Sequence, residues 1–400
     1  MAVSQWTPGD VSASQTLTDN DHLYPGHINE LRTHGDNWVN VKKYGAVGDG
    51  TTDDTTAIQN AINAVDGTAF TYNGGGTVIF PQGNYKITSA LTINGHYNIT
   101  LQGYGMARIH NANTSNGHAI VIGTSSEYRE GYSIIRDLWI TGNANSGHGV
   151  YATKTTNLEL HHVNLFYHGY TALRLDYAFT FRAYNCDFAQ NEQHGAYLTN
   201  ISGNLTQFYS CQFNTNDTAG YAGARVEGAS LNVSFIGCDF TANDYGLDIR
   251  NTTNANVIGC YFEATASTTR NLYAGSTAMK NLNLIGNYFQ GAAVADAVDL
   301  DDVTGVVIVN NHFNTCNLTT TANTVDITSM NNTTAGGSTI LDPTAVASFT
   351  SKTKGLAVPR MTTTQRDAIT SPATGLVIYN TSTNKLNVRV AAAWEAVTSA

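Results

Sequence analysis

The chain has 400 residues and a formal net charge of −10 at pH 7, and only 12% of its residues are charged. This acidic balance argues against nucleic acid as a partner, because phosphate binding needs clustered Lys and Arg side chains. It argues more weakly against an acidic polysaccharide, unless Arg residues dominate the binding groove. No apolar run resembles a signal peptide or could span a membrane, so we expect a protein made in a cytoplasm without membrane insertion.

The first segment, residues 1–36, is polar and lacks strong periodicity. It contains one short possible helix, from His27 to Arg32. We predict an N-terminal arm here, and the composition leaves open whether it is a loose extension or an attachment peptide.

A strand and a helix are predicted next. Val39 and Val41 alternate as in a strand, and Thr52 and Asp53 are good helix N-caps. They precede an apolar stripe with helical spacing, formed by Ala57, Ile58, Ala61, Ile62 and Val65. An amphipathic helix at this position would cover the open end of a stack of strands, whose backbone edge otherwise invites association.

The middle of the chain is a repeat. An apolar anchor residue recurs about every 25 residues on average, a spacing typical of solenoids, at Ile140, Leu165, Phe188, Phe213, Phe240, Phe262, Phe289 and Phe313. Each period also carries a second short run with period-2 apolar alternation, which indicates strands. Two or three short strands in about 25 residues predict one coil of a parallel β-helix. The preference of parallel crossovers predicts that it is right-handed.

Stacked coils bring residues of the same phase together in columns. One predicted inward column contains Cys186, Cys211, Cys238 and Cys260 and continues with Asn287 and Asn311. A second column lies three residues beyond the anchors, at Asn143, Asn191, Asn216 and Asn243. We expect the thiols to be free apolar filling and the amides to join successive turns, so both columns are structural.

Functional residues are expected on the outward face of the second alternating run. Aromatic and guanidinium groups suit an oligosaccharide groove, and the predicted substrate-binding residues are Tyr151, Arg174, Tyr197, Arg225, Arg250 and Tyr273. The predicted catalytic carboxylates on the same wall are Glu227, Asp248 and Asp176. Glu227 and Asp248 lie on neighbouring coils, and their diagonal separation of about 7–8 Å is compatible with an inverting glycoside hydrolase.

Ion pairs between coils would account for the same carboxylates without catalysis. In this alternative, Arg225 pairs with Asp248 and Glu227 pairs with Arg250. Asp187 and Asp239 form a second candidate catalytic pair on another wall, about 10 Å apart and so slightly long for hydrolysis.

No cofactor or metal is predicted. Asp296, Asp299, Asp301 and Asp302 are dense enough to suggest Ca²⁺, but alternation points Asp299 and Asp301 along a strand rather than around a loop. His161, His162 and His194 lack the spacing of a zinc site.

The C-terminal part of the chain changes character. Residues 323–351 are rich in Thr, Asn, Ala and Gly and predict a linker or an irregular last coil. Residues 352–400 predict a small β-rich module, too small to be stable alone, for which association of three chains is the natural solution.

Two segments carry a family resemblance. Residues 44–54 (YGAVGDGTTDD) with residues 57–59, followed by residues 74–85 (GGGTVIFPQGNY), resemble the opening motif of the pectate-lyase-like β-helix proteins, which include many bacteriophage tailspikes. The C-terminal module resembles one found on phage tail fibre proteins.

The resemblance implies an all-β protein, with a right-handed parallel β-helix over residues 37–322, an N-terminal capping helix and a homotrimer formed through residues 352–400. It implies a tailspike of the virion tail that binds, and as a depolymerase hydrolyses, a bacterial surface polysaccharide. The N-terminal arm would attach to the phage tail or baseplate. The alternatives are a receptor-binding or structural fibre without catalysis, and a polysaccharide lyase.

Overall fold

The computed structural model describes residues 38–65, 75–94, 98–123, 131–201, 205–216, 219–228, 230–264, 270–275, 279–291, 296–321, 323–336, 347–350 and 358–397. The predicted N-terminal arm, with its possible helix at residues 27–32, lies outside the described residues. The chain divides into two units, Met1–Ser348 and Phe349–Ala400. Among the described residues, no helix is long and apolar enough to cross a membrane.

The larger unit is a parallel β-solenoid with three sheets, and each complete coil contributes one strand to each sheet. The first sheet contains Trp38–Asn40, Gly76–Phe80, Ile99–Gly103, Ser133–Arg136, Leu158–His161, Phe181–Tyr184, Thr206–Tyr209, Ser230–Ile236, Thr252–Ile258, Met279–Ile285, Val303–Val309 and Val325–Met330. The strand Ala347–Thr350 follows in the chain.

The second and third sheets complete the coils. The second sheet contains Asp49–Asp53, Gly83–Ile87, Ala107–Asn111, Trp139–Thr141, Asn164–Phe166, Asp187–Ala189, Gln212–Asn214, Asp239–Thr241, Tyr261–Glu263, Tyr288–Gln290, His312–Asn314 and Thr333–Ala335. The third sheet contains Leu91–Ile93, Ile120–Ile122, Val150–Thr153, Leu173–Asp176, Ala196–Thr199, Ala222–Glu227, Tyr245–Arg250, Arg270–Gly275, Asp296–Leu300 and Asn317–Thr320. The predicted parallel β-helix with strands in a repeating coil is confirmed.

The anchor residues form the centre of the core. They pair in register from coil to coil, from Ile140 with Leu165 to Phe289 with Phe313. The rings of Phe188, Phe213, Phe240, Phe262, Phe289 and Phe313 stack with centroids 4.7–5.1 Å apart. Such a stack buries large rings in offset contact at the spacing of the strands themselves.

The corner between the first and second sheets is a tight bend. In each coil from Asp137 on, one corner residue has left-handed backbone with φ between 51 and 66°: Asp137, His162, Asn185, Ser210, Gly237, Gly259, Gly286, Asn310 and Asn331. Asn, Asp and Gly tolerate this conformation best, which explains their recurrence at this phase.

The predicted columns lie inside the solenoid. The four cysteines of the first column are buried free thiols, and the Asn287 amide at its end donates to Asn311 at 2.9 Å. In the second column, Asn191 donates to Asn216 at 2.9 Å and Asn216 donates to Asn243 at 3.1 Å. His168 interrupts this column between Asn143 and Asn191, and Asn143 bonds to the Asn111 carbonyl at 2.9 Å instead. Burial lowers the pKa of His168 to about 4, so this imidazole is neutral.

A helix covers the N-terminal end of the solenoid, as predicted. It spans Thr55–Val65 and buries Ile58, Ala61, Ile62 and Val65. The turn before it is fixed by Asp54, which accepts hydrogen bonds from Val47 N at 2.6 Å and Gly48 N at 3.0 Å.

The solenoid continues beyond the predicted boundary at residue 322. Val325–Met330 pairs in parallel register with Val303–Val309, and Thr333–Ala335 pairs with His312–Asn314. The segment predicted as a linker or irregular last coil therefore supplies strands of the first and second sheets.

The smaller unit contains the predicted β-rich module. Its strands are Arg360–Met361, Val377–Asn380, Lys385–Val390 and Ala393–Ala396, and its helix is Thr363–Asp367. Thr362 and Gln365 form a capping box at the helix start. Only Ile378, Asn380 and Asn387 are fully buried among its described side chains, so this unit has a very small core of its own.

Candidate functional site

The nine predicted site residues share one surface, the outward face of the third sheet, which we call the third-sheet wall. Strand register places one row along it, formed by Tyr151, Arg174, Tyr197, Arg225, Asp248, Tyr273 and Asp299. The next outward row contains Thr153, Asp176, Thr199 and Glu227, with Arg250 on the following coil. Alternation along each strand produces both rows, because every second side chain leaves the core.

Arg174 is held by neutral groups. Its guanidinium lies 3.9 Å from the centroid of the Tyr197 ring, and Nη2 donates to Thr199 Oγ1 at 2.9 Å. The Thr199 hydroxyl in turn donates to Asp176 Oδ1 at 2.7 Å. Within the described part of the chain, Arg174 makes no ion pair with a carboxylate, and its buried Nη1 has no hydrogen-bond acceptor. Arg174 is therefore joined to the Asp176 carboxylate only through the Thr199 hydroxyl.

Glu227 is bound on both carboxylate oxygens. Oε2 accepts two hydrogen bonds from Arg225, one from Nη2 at 2.7 Å and one from Nε at 2.9 Å. Oε1 accepts a hydrogen bond from the Tyr197 hydroxyl. Burial raises the pKa of Glu227, but the hydrogen bond from Tyr197 and the charge of Arg225 outweigh burial and lower it. This carboxylate is held in its ionised form.

Asp248 is buried beneath two guanidinium groups. Its side chain is 2% exposed, Oδ1 accepts from Arg250 Nε at 2.8 Å, and Oδ2 lies 3.7 Å from Arg225 Nε. Arg225 thus contacts both Glu227 and Asp248. The two shortest ion pairs run along single strands, and the contact between coils is the longer one.

At the C-terminal end of the third-sheet wall, neighbouring side chains bind the acidic residues. Arg270 Nη1 lies 3.2 Å from Asp299 Oδ2, and the Tyr273 hydroxyl donates to Asp301 Oδ2 at 3.2 Å. Among the described residues, no group of three or more acidic, His or Cys side chains could hold a metal ion. The side chain of Asp296, one of the four acids considered for Ca²⁺, lies outside the described part.

Sequence reasoning missed a group of imidazoles beside this wall. His118 and His148 stack with centroids 4.9 Å apart, His148 lies 5.9 Å from Tyr151, and His194 lies 5.0 Å from Tyr197. Burial lowers the pKa of His148 and of His194 to about 3 each, so both are neutral hydrogen-bonding groups. The missed signal is spacing, since each of these residues precedes an outward third-sheet residue by three positions.

The second candidate acid pair lies on the outward face of the second sheet, which we call the second-sheet wall. Its register row is Trp139, Asn164, Asp187, Gln212, Asp239, Tyr261, Tyr288 and His312. Burial, and then the charge of Asp239, raise the pKa of Asp187 to about 6. Asp187 Oδ1 is buried without a hydrogen-bond partner among the described residues. Asp187 is therefore much closer to a neutral acid than Glu227.

Comparison with known proteins assigns the family. Residues 38–342 match the family model described as rhamnogalacturonase A/epimerase, pectate lyase-like. The chain belongs to this pectate-lyase-like family. Residues 320–400 match a second model, described as a phage tail like trimerisation region.

The relatives share only part of this pectate-lyase-like chain. Mannuronan C5-epimerase AlgE3 of Azotobacter vinelandii is 45% identical over 74 residues, which is 17% of this chain and 4% of that protein. Plasmin and fibronectin-binding protein A of Streptococcus pneumoniae is 44% identical over 66 residues, 16% of this chain and 9% of that protein. The chain therefore spans less than a tenth of the length of either relative.

A solved structure agrees in fold. Geobacillus virus E2 ORF18 has a TM-score of 0.55 and 19% identity, over 94% of this chain and 88% of that chain. Bacteriophage CBA120 tailspike protein 3 has a TM-score of 0.49 and 13% identity, over 97% of this chain and 72% of that chain.

Proposed function

We propose that the protein is a homotrimeric bacteriophage tailspike of the virion tail, and that its third-sheet wall binds and hydrolyses a bacterial surface polysaccharide. The observation that carries the proposal is the row of Tyr and Arg side chains across successive coils of this wall. The matches to a pectate-lyase-like model and to a phage tail trimerisation region support it. Residues 1–36 are the segment that we assign to attachment to the phage tail or baseplate.

The wall suits a chain of sugar rings. Tyr151, Tyr197 and Tyr273 place aromatic rings on the wall at intervals of two coils or more, and apolar sugar faces stack on open ring faces. One face of the Tyr197 ring is already covered by the Arg174 guanidinium. Arg174 makes no ion pair among the described residues, and the half-buried guanidinium beside Tyr197 is the group that we assign to hydroxyl or carboxylate oxygens of a glycan.

For hydrolysis, a water molecule must be deprotonated and the departing sugar oxygen must be protonated. Glu227 is the proposed base on this wall: Tyr197 and Arg225 keep it ionised, although the same contacts make it a weaker base. Asp248 is the proposed proton donor on this wall, where its carboxylate contacts both Arg250 and Arg225.

The second-sheet wall is a second candidate for the cleavage step. The raised pKa of Asp187, about 6, favours it as a proton donor, and Asp239 lies two coils away in the same row. Two strand spacings of about 4.8 Å separate the two acids by about 10 Å, slightly more than the roughly 6.5–9.5 Å found in inverting enzymes. Trp139 and Tyr261 provide aromatic faces on either side of these acids.

The deciding experiment is digestion of purified host capsule or lipopolysaccharide, with the products followed by mass spectrometry. We expect oligosaccharides one water heavier than the cleaved repeat, which indicates hydrolysis. Unsaturated products would replace the hydrolase with a lyase. Glycan binding without products would leave a receptor-binding fibre. The absence of both glycan binding and products would overturn the proposal.

Variants then assign the acids. Glu227→Gln is expected to lower turnover by at least about 100-fold while glycan binding is retained. Asp187→Asn tests the second-sheet wall in the same way, and Glu192→Gln, an exposed acid outside both rows, is the control. If only Asp187→Asn loses turnover, catalysis belongs to the second-sheet wall.

Binding is tested separately at Arg174. We expect Arg174→Ala to weaken glycan binding about 10-fold, because the variant loses a charged hydrogen-bond donor and its stacking on Tyr197. Arg136→Ala, on the first sheet and outside the proposed groove, is the control. Equal affinities of the two variants, measured by calorimetry, would remove Arg174 from the site.

A further inference from the structure

The first sheet changes its outward surface half-way along the solenoid. Up to Tyr209, the strands Leu158–His161, Phe181–Tyr184 and Thr206–Tyr209 have four residues each. From Ser230, the strands Ser230–Ile236 and Thr252–Ile258 have seven residues, as do the next two. The sheet is therefore wider over its last coils.

The final outward position of each strand changes with it. On the earlier coils this position is occupied by Arg136, His161, Tyr184 and Tyr209. On the later coils, register aligns Ile236, Ile258, Ile285, Val309 and Met330, which we call the aliphatic ladder. Its members are half-buried, except Met330, which is 37% exposed. Four strand spacings give this strip a length of about 19 Å.

The surface beside the aliphatic ladder is polar but almost uncharged. The next outward row contains Ser234, Asn256, Asn283, Val307 and Thr328. Its first three members are joined by amide hydrogen bonds of 3.3 and 2.8 Å. Along the described strands of the first sheet from Ser230 to Met330, the charged side chains are Lys280 and Asp326.

The third sheet differs sharply over the same coils. Its described strands from Ala222–Glu227 to Asp296–Leu300 each carry charged outward side chains, and the last strand, Asn317–Thr320, carries none: the charged residues are Arg225, Glu227, Asp248, Arg250, Arg270 and Asp299. Depletion of charge around a contiguous apolar strip is what distinguishes the buried centre of a protein interface.

The chain itself indicates what covers this strip. The last residue of the aliphatic ladder, Met330, lies within residues 320–400, which match the trimerisation region. The strip is thus continuous with a segment that joins copies of the chain. The described strands of the second and third sheets show no second row of aliphatic side chains, so the ladder has no complementary partner on another wall. In a three-fold symmetric trimer, by contrast, the same side chain from each of the three copies can meet at one level along the symmetry axis.

We propose that the aliphatic ladder lies at the three-fold axis of the trimer, where the Ile258 side chains of the three copies meet. This inference rests on the trimer of the proposed function and adds the face on which the solenoids pack. It directs the third-sheet wall away from the axis, so that each copy carries its own complete groove.

Cysteine cross-linking of the full chain tests the inference. The five native cysteines are buried, so a cysteine introduced outside the core is the accessible thiol. In Ile258→Cys, mild oxidation is expected to join two of the three chains of each trimer, giving about two-thirds of the protein as dimers on a non-reducing denaturing gel. Ile285→Cys, one coil further on, is expected to behave in the same way.

The matched control is Gln212→Cys, an exposed outward position on the second-sheet wall. We expect it to remain monomeric on the gel and to react rapidly with maleimide, whereas Ile258→Cys reacts slowly in the native trimer. The native mass of each variant is measured first by light scattering. A monomeric mass overturns the proposed trimer itself. A trimeric mass in which Ile258→Cys and Ile285→Cys cross-link no more than Gln212→Cys overturns only the axial position of the ladder.

Discussion

Asp187 is an acid whose surroundings oppose its charge. Its Oδ1 is buried without a partner among the described residues, and Asp239 lies two coils away in the same row. Burial comes first and Asp239 second in raising its pKa from 3.8 to about 6. Because the folded state holds this proton more tightly than the unfolded chain, the stability it contributes is complete below about pH 4 and is lost as pH rises through 6.

Replacing Asp187 should remove this pH dependence. We expect the free energy of unfolding of Asp187→Asn to be about 1 kcal/mol higher than that of the natural protein at pH 8 and equal to it at pH 4. The effect is smaller than the full pKa shift would give, because the Asp187 side chain is partly exposed. Urea unfolding at the two pH values measures it. Asp239→Asn is the control, and should reduce the pH dependence without abolishing it. Parallel stability profiles for the natural protein and Asp187→Asn would contradict the raised pKa.

For single residues, the sequence predicts which way a side chain faces, but it does not predict which partner that side chain binds. Period-2 alternation assigned Tyr151, Arg174 and Glu227 to one wall, because strand geometry alone decides which side chains face outward. It could not decide that Arg225 would bind Glu227 on its own strand more closely than Asp248 on the next coil. That choice depends on side-chain conformations, for which a sequence period carries no information.

The stack of phenylalanine rings is the element that joins coil to coil. Phe240 is buried and contacts Phe213 and Phe262, with ring centroids 4.8 and 4.7 Å away. Because parallel strands repeat at nearly the same spacing, one ring per coil can stack without strain. The element therefore couples the stability of neighbouring coils.

Truncating one ring should weaken the solenoid. Phe240→Ala is expected to cost about 3–5 kcal/mol, because it leaves a cavity between two stacked rings. Phe166→Ala, at a half-buried outward position on the second sheet, is the matched control and should cost much less. Urea unfolding followed by circular dichroism compares them. Similar losses in both variants would show that the stack has no special role.

In the last coil, the repeat of anchor residues does not predict the strands that the structure contains. Register places Thr334 opposite Phe313, so the anchor aromatic is replaced by a small polar residue. Without an anchor, the coil that contains Val325–Met330 could only be predicted as irregular. Its strands form nevertheless, because the preceding coil offers a complete edge of backbone donors and acceptors.

The two units of the chain differ in how much core they possess. The described part of Phe349–Ala400 buries few side chains completely, whereas the solenoid buries a continuous apolar centre. Composition and the small number of strands predict that this module is stabilised by association, but they do not indicate which face of the solenoid would take part.

Removing the smaller unit should separate folding from assembly. A chain that ends at residue 348 is expected to keep the circular dichroism of a β-protein and to have the mass of one chain by light scattering. The full chain provides the trimeric reference. A trimeric mass for the shortened chain would mean that the solenoid faces suffice for assembly, and loss of the β signal would mean that the units fold together.

The uniform register of the coils has a consequence for the gene. Each coil from Asp137 on turns at the same corner and keeps its inward positions in phase with those of its neighbours, so a segment that encodes a whole number of coils can be replaced without shifting that phase. Exchange of such a segment between related chains would replace the outward rows while the interior remains in phase.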